Sequence, residues 1–262
     1  MSDQVFKEYS KYYDLLYQNK KYREEALFID KLIKEYKPEA NTLLDLGCGT
    51  GTHDFIFAEL GYQITGVDQS EQMLEVARNR HGADRKKGGQ ENPVFVQGSL
   101  TNFSLEDNRK VDIIVSLFDV VCYLTDYASF NEMGCRLKEY LSPGGLFIFD
   151  CWYAPAVYTL KPEVTVKRFE NDEYFLTRVA ESQLSSIRNN LVVDYDIYIK
   201  NKKDGLISNI TERHDVRFFF DEELDALLGK HSFKRIFRKV WFSDEEPNEK
   251  NWSVLFGYQL LS

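Results

Sequence analysis

An α/β fold is predicted for this chain of 262 residues, with a mostly parallel sheet that carries helices on both faces. Three observations predict it. Strand and helix patterns alternate between residues 41 and 150, which is typical of a parallel sheet. A glycine-rich turn follows the first predicted strand, and a carboxylate ends the second. After residue 150 the pattern changes to consecutive strands separated by turn residues, and then returns to a helix and two strands.

The alternating segment, residues 41–150, is predicted to form the core that binds a ligand. Its strands are short apolar runs bounded by turn residues, and its helices repeat apolar residues at helical spacing. Ser70 is predicted to cap one helix, since its hydroxyl can accept from the first turn. The polar segment His81–Asn92 is predicted to be a surface loop. The predicted strands are Thr42–Leu46, Gln63–Val67, Val94–Gln97, Val111–Leu117 and Leu146–Asp150, and the helices Thr52–Leu60, Ser70–Asn79 and Tyr127–Tyr140.

The flanking segments complete a single domain over residues 1–262. Residues 1–40 are predicted to be a helical lid, because apolar residues recur at three- and four-residue steps up to Pro38. Residues 151–219 are predicted to be an inserted antiparallel β meander on the substrate side. Residues 220–262 are predicted to be a helix and a strand hairpin, and the two strands of this hairpin bring the mostly parallel sheet to seven strands. The runs are Val164–Glu170, Tyr174–Leu184, Leu191–Lys200 and Leu206–Phe219 for the meander, then Asp221–His231, Phe233–Trp241 and Ser253–Leu260.

Composition limits the classes of function. A net charge of −9 and a pI near 5.1 argue against a non-specific nucleic-acid binder, which needs a basic face. The four cysteines are scattered without a C-x-x-C pair, so we expect reduced thiols and no structural metal. The N-terminus lacks an apolar signal region, and no apolar run approaches the about 18 residues of a membrane span. We expect a cytoplasmic protein, monomeric or homodimeric, that binds a small molecule, without nucleic-acid or membrane partners.

The most informative motif is LLDLGCGTG at residues 43–51, followed by a carboxylate at Asp68. Glycines at alternate positions let the backbone take positive φ values and approach a ligand closely. Asp68 lies 19 residues beyond Gly49, at the end of the next strand, where a carboxylate can accept both hydroxyls of a ribose. The pattern therefore predicts a nucleoside site.

Two other interpretations of this motif remain. The glycines can serve packing alone at a strand–turn–helix corner. A nicotinamide-dependent oxidoreductase is disfavoured, because a dinucleotide fingerprint has the spacing G-x-G-x-x-G, whereas Gly47, Gly49 and Gly51 follow G-x-G-x-G. Asp45, two residues before the first glycine, would repel a pyrophosphate but suits a cationic ligand.

The form D-x-G-x-G-x-G resembles the first motif of the class I S-adenosylmethionine-dependent methyltransferases, which implies a Rossmann-like fold with S-adenosyl-L-methionine as cofactor and S-adenosyl-L-homocysteine as product. By this resemblance Asp45 lies near the cofactor's ammonium, Asp68 binds its ribose and Met73 packs on its adenine. Ser99 stands where most members carry an aspartate. The cofactor-binding residues implied are Asp45, Gly47, Cys48, Gly49, Gly51, Asp68, Gln69, Met73, Ser99, Leu100, Leu117, Phe118 and Tyr22.

Four segments are candidates for the acceptor side. They are the aromatic N-terminal run from Tyr9 to Tyr17, the loop after the fourth strand, the residues after the fifth strand, and the meander. Each has a structural alternative, such as a packing stripe, a loop anchor, a cap on the core or a solvated strand face. The catalytic candidates are Tyr13, Asp119 and Tyr123, and the substrate-binding candidates are Tyr17, Trp152, Tyr153, Arg178 and His214, with Arg217 as a further cation in the meander.

A narrower resemblance is to the nucleotide-sugar N,N-dimethyltransferases of desosamine-type pathways. It rests on YDLLY at residues 13–17, KYREEA at 21–26, Trp152 followed by Pro155, TRV at 177–179, and the appended meander. A histidine that this group carries after the fourth strand is Tyr123 here. The resemblance implies methylation of the amine of a nucleotide-linked aminosugar. An O- or N-methyltransferase for another metabolite, and a cofactor-binding scaffold without turnover, are the alternatives.

Overall fold

The computed structural model describes residues 10–81, 93–105 and 109–261. A sheet of seven strands lies at its centre, in the order β10-β11-β5-β4-β1-β2-β3. Strands β1 to β5 are parallel, and β11 is antiparallel to both β5 and β10. The predicted α/β class, the seven-stranded sheet and the antiparallel meander are confirmed. The strands of this sheet are β1 (Thr42–Leu46), β2 (Gln63–Asp68), β3 (Val94–Gln97), β4 (Val111–Ser116), β5 (Leu141–Trp152), β10 (Phe233–Val240) and β11 (Ser253–Leu260).

Helices cover both faces of this sheet, because alternate residues of each strand point to opposite sides. Leu44, Ile114 and Phe147 lie on one face with α5, whereas Leu43 and Ile113 lie on the other with α2 and α3. The helices are α1 (Ser10–Leu16), α2 (Tyr22–Tyr36), α3 (Thr52–Glu59), α4 (Glu71–His81), α5 (Tyr127–Tyr140), α6 (Ala154–Leu160) and α7 (Asp221–Gly229).

A second, antiparallel sheet of four strands follows β5 in the chain, in the order β6-β7-β8-β9. The third and fourth strands of this sheet are in register from Asn190 opposite Arg217 to Lys200 opposite Ile207. A small apolar cluster joins this sheet to α1 and α4 through Leu16, Met73 and Leu176. The meander and the N-terminal helix thus pack together above the carboxyl edge of the parallel sheet. Its strands are β6 (Thr165–Glu170), β7 (Tyr174–Leu184), β8 (Asn190–Asn201) and β9 (Ile207–Arg217).

The structure differs from the sequence prediction at a few elements. The N-terminal segment forms two helices with a break at residues 17–21, and β5 starts at Leu141. Helix α6 was not predicted, although Pro155 lies in its first turn, where a proline is tolerated. The predicted loop at 81–92 lies almost entirely outside the described residues, as does Tyr9. The grouping of all 262 residues into one domain stays a prediction.

None of the helices in the described ranges is both long and apolar enough to cross a bilayer.

Candidate active site

A deep cavity lies at the carboxyl edge of the parallel sheet, where β1 and β4 diverge towards opposite halves of the sheet. Ligands bind at such switch points in open α/β sheets. The wall is shared by the ends of β1, β2, β4 and β5, by α1, and by β8 and β9 of the second sheet. The predicted residues that line it are Tyr13, Tyr17, Tyr22, Asp45, Gly47, Cys48, Gly49, Asp68, Gln69, Met73, Ser99, Leu100, Leu117, Phe118, Asp119, Tyr123, Trp152 and His214.

The glycine turn after β1 forms the floor of the cavity. Gly47 and Gly49 have φ values of +85° and +57°, in the region that favours glycine. The amides of Gly47 and Cys48 both donate to the Val67 carbonyl, at 2.7 and 3.0 Å, which ties the turn to the end of β2. A Cβ on Gly47 would lie 2.4 Å from Cγ1 of Val120, so the cavity wall leaves no room for a side chain there.

Gly51 does not line the cavity, so the structure corrects its predicted role in cofactor contact. Its φ is +73°, and a Cβ there would lie 2.7 Å from Cζ of Phe95 and 3.2 Å from Cβ of Ala77. The third glycine of the motif therefore allows the start of α3 to pack against β3 and α4.

Asp68 is held in place by the backbone. Its Oδ2 accepts from the Gly49 amide at 2.9 Å, and its Oδ1 accepts from the Ser70 amide at 2.8 Å. Burial raises the pKa of Asp68, and the backbone N–H groups counteract part of that rise. Each carboxylate oxygen can accept a further hydrogen bond, so Asp68 can bind a diol that enters the cavity.

Asp45 is 2% exposed, and its Oδ1 has no hydrogen-bond partner among the described residues. Burial, and then the charges of Asp68 and Asp150, raise the pKa of Asp45 to about 8. A buried acceptor without a donor costs about 1–3 kcal/mol. A cationic N–H group would remove that cost, so the carboxyl fits a ligand that carries an ammonium, as S-adenosylmethionine does.

Asp54, which the sequence analysis did not single out, lies close to this carboxyl. It is fully buried in the first turn of α3, and neither of its oxygens has a hydrogen-bond partner within the described part of the chain. Burial, and then the charge of Asp45, raise the pKa of Asp54 well above its usual range. Asp54 does not itself line the cavity, so it lies behind Asp45.

Helix α1 lies over the cavity and is fastened to the glycine turn by Asp14. The Thr50 hydroxyl donates to Asp14 Oδ1 at 2.9 Å, and Arg80 of α4 donates to Asp14 Oδ2. Directly after α1, the ring of Tyr17 contacts Phe118 edge-on, with centroids 4.9 Å apart. The Y-D-x-x-Y pattern drew attention to the tyrosines, but the aspartate between them makes the anchoring contacts.

A charged cluster borders the cavity beside α2. Glu25 accepts from Lys20 at 2.5 Å and bonds His53 Nε2 at 2.9 Å, and Tyr22 contacts the His53 ring edge-on. Burial acts to raise the pKa of Glu25, but the hydrogen bonds from His53 and Lys20 outweigh it and hold this pKa below its usual value. Sequence reasoning missed this cluster, because His53 lies 28 positions beyond Glu25 in the chain.

Asp119 lies in the cavity wall directly after β4, in a left-handed conformation with φ +58°. Its amide donates to Asp150 Oδ1 at 2.9 Å, and the Ser253 hydroxyl donates to Asp119 Oδ1 at 2.9 Å. Burial and the neighbouring Asp150 raise the pKa of Asp119 to about 8. These contacts fix the loop, and they leave a carboxyl of low charge facing the cavity.

The acceptor side of the wall is aromatic. The Tyr123 hydroxyl lies 2.7 Å from His214 Nδ1, and Tyr195 contacts the His214 ring edge-on. Burial, and then the charge of Arg178, lower the pKa of His214 to about 4, so its imidazole is neutral at pH 7. Tyr195, Val193 and Val216 of the second sheet also line this side; strand alternation in the meander was the available signal for them.

Two predicted substrate-binding residues do not line the cavity. The Tyr153 side chain is 6% exposed and packs in the main core. Arg178 lies behind the wall, where its Nη1 donates to the Tyr17 hydroxyl at 3.1 Å and its guanidinium stacks on Tyr195. Arg217 pairs with Glu223 of α7. The wall near the second sheet is therefore less basic than the sequence suggested.

Comparison with known proteins agrees with this geometry. Residues 44–149 match the profile of the family described as methyltransferase domain. The core of this chain is a methyltransferase domain. The chain is a methyltransferase, and the residues of its cavity fit S-adenosylmethionine as the cofactor.

Relatives match this methyltransferase over most of its length. It is 28% identical over 216 residues to the dTDP-3-amino-3,4,6-trideoxy-alpha-D-glucopyranose N,N-dimethyltransferase of Streptomyces venezuelae, which covers 82% of this chain and 85% of the relative. It is 25% identical to the putative methyltransferase YqeM of Bacillus subtilis (strain 168), over 87% and 88% of the two chains. The crystal structure of Streptomyces venezuelae DesVI superposes with a TM-score of 0.79 at 25% identity, over 97% and 98% of the two chains.

Proposed function

We propose that this methyltransferase transfers methyl groups to the amine of a nucleotide-linked aminosugar. The similarity to the Streptomyces dimethyltransferase over four fifths of the chain supports the substrate class. The observation that carries the proposal within the site is the Tyr123–His214 pair. It offers an uncharged hydrogen-bonding group on the acceptor side, suited to a neutral amine.

The cofactor half of the site consists of Asp45, the glycine turn and Asp68. Asp68 holds the ribose hydroxyls with the lone pairs that its two backbone bonds leave open. Asp45 accepts from the ammonium, which supplies the donor that its Oδ1 lacks. Met73, 2% exposed on α4, packs beside the adenine, and Ser99 and Leu100 lie at the same end of the cavity.

The bound cofactor supplies a methyl group on a sulfonium, which is an already activated donor. The chain's own residues therefore have to align the acceptor and exclude water, and such positioning can contribute about 7–11 kcal/mol to lowering the barrier. Tyr13 of α1 and Tyr17, directly after this helix, close the cavity. Tyr123 and Asp119 orient the amine, while Trp152 provides an aromatic surface for the sugar.

The test is methylation by the purified protein of dTDP-linked 3-amino and 4-amino deoxysugars, followed by mass spectrometry. A mass gain of one or two methyl groups, with S-adenosylhomocysteine formed in step, is the expected result. The matched controls are the same dTDP-sugars with a hydroxyl in place of the amine, and the free aminosugars. No gain on any amine would contradict the proposal.

A second candidate is methylation of another small metabolite at oxygen or nitrogen. The Bacillus subtilis relative, whose name specifies no acceptor, covers a slightly larger share of this chain than the Streptomyces enzyme does. Methylation of the hydroxyl-bearing controls, or of no sugar at all, would favour this candidate. Tight binding of S-adenosylmethionine with no turnover on any acceptor would instead indicate a scaffold.

A further inference from the structure

Tyr123 and His214 lie in the partition between two cavities. Both residues line the cofactor cavity, and both line a second, more polar cavity beside it. The second cavity is bordered by Thr125, Asp126 and the well-exposed Arg213, and it opens to solvent. The pair therefore stands between the enclosed acceptor site and a cavity that opens to solvent.

The direction of the hydrogen bond in this pair follows from the surroundings of the imidazole. His214 Nε2 lies 3.7 Å from Oε2 of Glu212, and both side chains are almost fully buried. The carboxylate favours a proton on Nε2, which leaves Nδ1 as the acceptor for the Tyr123 hydroxyl at 2.7 Å. The phenol oxygen then keeps its lone pairs for an N–H group in the cofactor cavity.

The groups that face His214 determine its protonation state. They are Tyr123 after β4, Arg178 of β7, Tyr195 of β8 and Glu212 of its own strand. Burial and the positive charge of Arg178 lower the pKa of His214 to about 4. The ring is therefore neutral at pH 7, and an imidazolium formed there gives up its proton readily.

We propose that Tyr123 and His214 form a proton relay that deprotonates the amine after each methyl transfer, so that a second methyl group can be added before the acceptor leaves. This inference rests on the proposed aminosugar function. Once the amine nitrogen has formed its bond to the methyl carbon, and the carbon–sulfur bond has broken, the nitrogen is a cationic ammonium without a lone pair. It has to lose a proton before it can react again.

The protons move in a balanced sequence. The ammonium N–H proton passes to the Tyr123 oxygen as the Tyr123 O–H proton passes to His214 Nδ1. The imidazolium then gives a proton to water when the cofactor cavity opens to exchange S-adenosylhomocysteine for a second S-adenosylmethionine, which leaves a neutral amine, a neutral phenol and a neutral imidazole. Glu212 is a positioning residue, because it orients the ring and does not touch the acceptor.

The experiment measures monomethyl and dimethyl products early in the reaction, with the dTDP-aminosugar in large excess over enzyme. The wild type is expected to form dimethyl product without accumulating monomethyl product. Tyr123→Phe and His214→Gln are each expected to raise the ratio of monomethyl to dimethyl product at least about tenfold, since general acid–base groups contribute about 10²- to 10⁴-fold. Tyr198→Phe, at an exposed position of β8 outside both cavities, is the matched control and keeps the wild-type ratio.

The pH profile separates a proton relay from a purely structural role. In the two variants the second methylation requires rebinding of the neutral monomethyl amine, so the dimethyl fraction rises with pH until the free amine is deprotonated in solution. The wild-type ratio does not change with pH. Calorimetric titration with S-adenosylhomocysteine is expected to give wild-type affinity for both variants, which checks that their cofactor site is intact.

Three results would overturn the relay. They are an unchanged product ratio in both variants, accumulation of monomethyl product by the wild type, and loss of S-adenosylhomocysteine binding in the variants. If the wild type methylates no aminosugar at all, the proposed function itself fails, and the relay fails with it.

Discussion

Replacement of Asp68 by asparagine tests the cofactor site with a change of one atom. The carboxylate accepts from the Gly49 and Ser70 amides at 2.9 and 2.8 Å. Hydrogen bonds to a charged group contribute about 1.5–3 kcal/mol each. Asparagine keeps a single acceptor oxygen and turns its amide group towards the other backbone N–H, so one of the two bonds is lost and the other becomes weaker.

We expect Asp68→Asn to lower the free energy of unfolding by less than the about 2–4 kcal/mol that the lost charge-assisted bonds alone would give, because the neutral amide also avoids the burial cost that raises the pKa of Asp68. The ribose loses one charged acceptor as well, worth about 1.5–3 kcal/mol, or a roughly 10- to 100-fold weaker Kd for S-adenosylmethionine. Urea denaturation measures the first quantity, and isothermal titration calorimetry with the folded variant measures the second.

Asp112→Asn is the matched control for this prediction. Asp112 Oδ2 accepts from the amides of Asn41 and Thr42 and from the Thr42 hydroxyl, all at the opposite end of β1. This variant is therefore expected to lose stability while keeping the wild-type Kd. Equal effects of the two substitutions on cofactor affinity would refute the assignment of Asp68 to the ribose.

Three further predictions address the turn, the lid and the buried carboxyls. Gly47→Ala is expected to weaken S-adenosylmethionine binding and, in urea titrations, to destabilise the fold by more than Gly61→Ala does. Both glycines have positive φ, but only at Gly47 would a Cβ lie against Val120; equal losses of stability in the two variants would contradict a tight turn at Gly47. Asp14→Asn is expected to increase the dissociation rate of S-adenosylhomocysteine in stopped-flow measurements, since it loosens α1 from Thr50 and Arg80. The control Arg23→Ala breaks an exposed ion pair with Glu59 and is expected to leave that rate unchanged. The same rate in both variants would show that α1 is not the lid. The pKa of Asp45 is raised to about 8 in the folded chain, so its contribution to stability is present at low pH and is lost as pH rises from about 4 to 8. The loss is up to about 1.4 kcal/mol per pH unit. Asp45→Asn should therefore flatten the curve of unfolding free energy against pH in that window, and an unchanged slope would contradict a protonated Asp45.

Local patterns predicted the parallel core because each of its strands is a short apolar run with turn residues at both ends. The start of β5 escaped prediction, since Ser142-Pro143-Gly144-Gly145 has the composition of a turn, yet the strand includes it beside a register shift against β4. Helix α6 is only seven residues long, and its formation depends on burial of Ala154 and Val157 in the core.

The distinction between local sequence patterns and contacts set by tertiary packing applies to the site as well. Asp45, Gly47 and Asp68 were predictable because parallel strands end at one edge of a sheet, so their carboxyl ends meet. The bond between Tyr123 and His214 joins residues 91 positions apart and depends on the register of β8 against β9, which no local pattern gives. Arg178 was misplaced for the same reason, since a basic residue on a strand can face either the cavity or the layer behind it.

The central claim is that the turn between Asp45 and Asp68 holds S-adenosylmethionine. The most direct test is calorimetric titration of the wild-type protein with S-adenosylmethionine and, in parallel, with a nicotinamide dinucleotide. The account predicts saturable binding of one S-adenosylmethionine per chain and no measurable heat with the dinucleotide. Absence of S-adenosylmethionine binding, or equal binding of the dinucleotide, would contradict it.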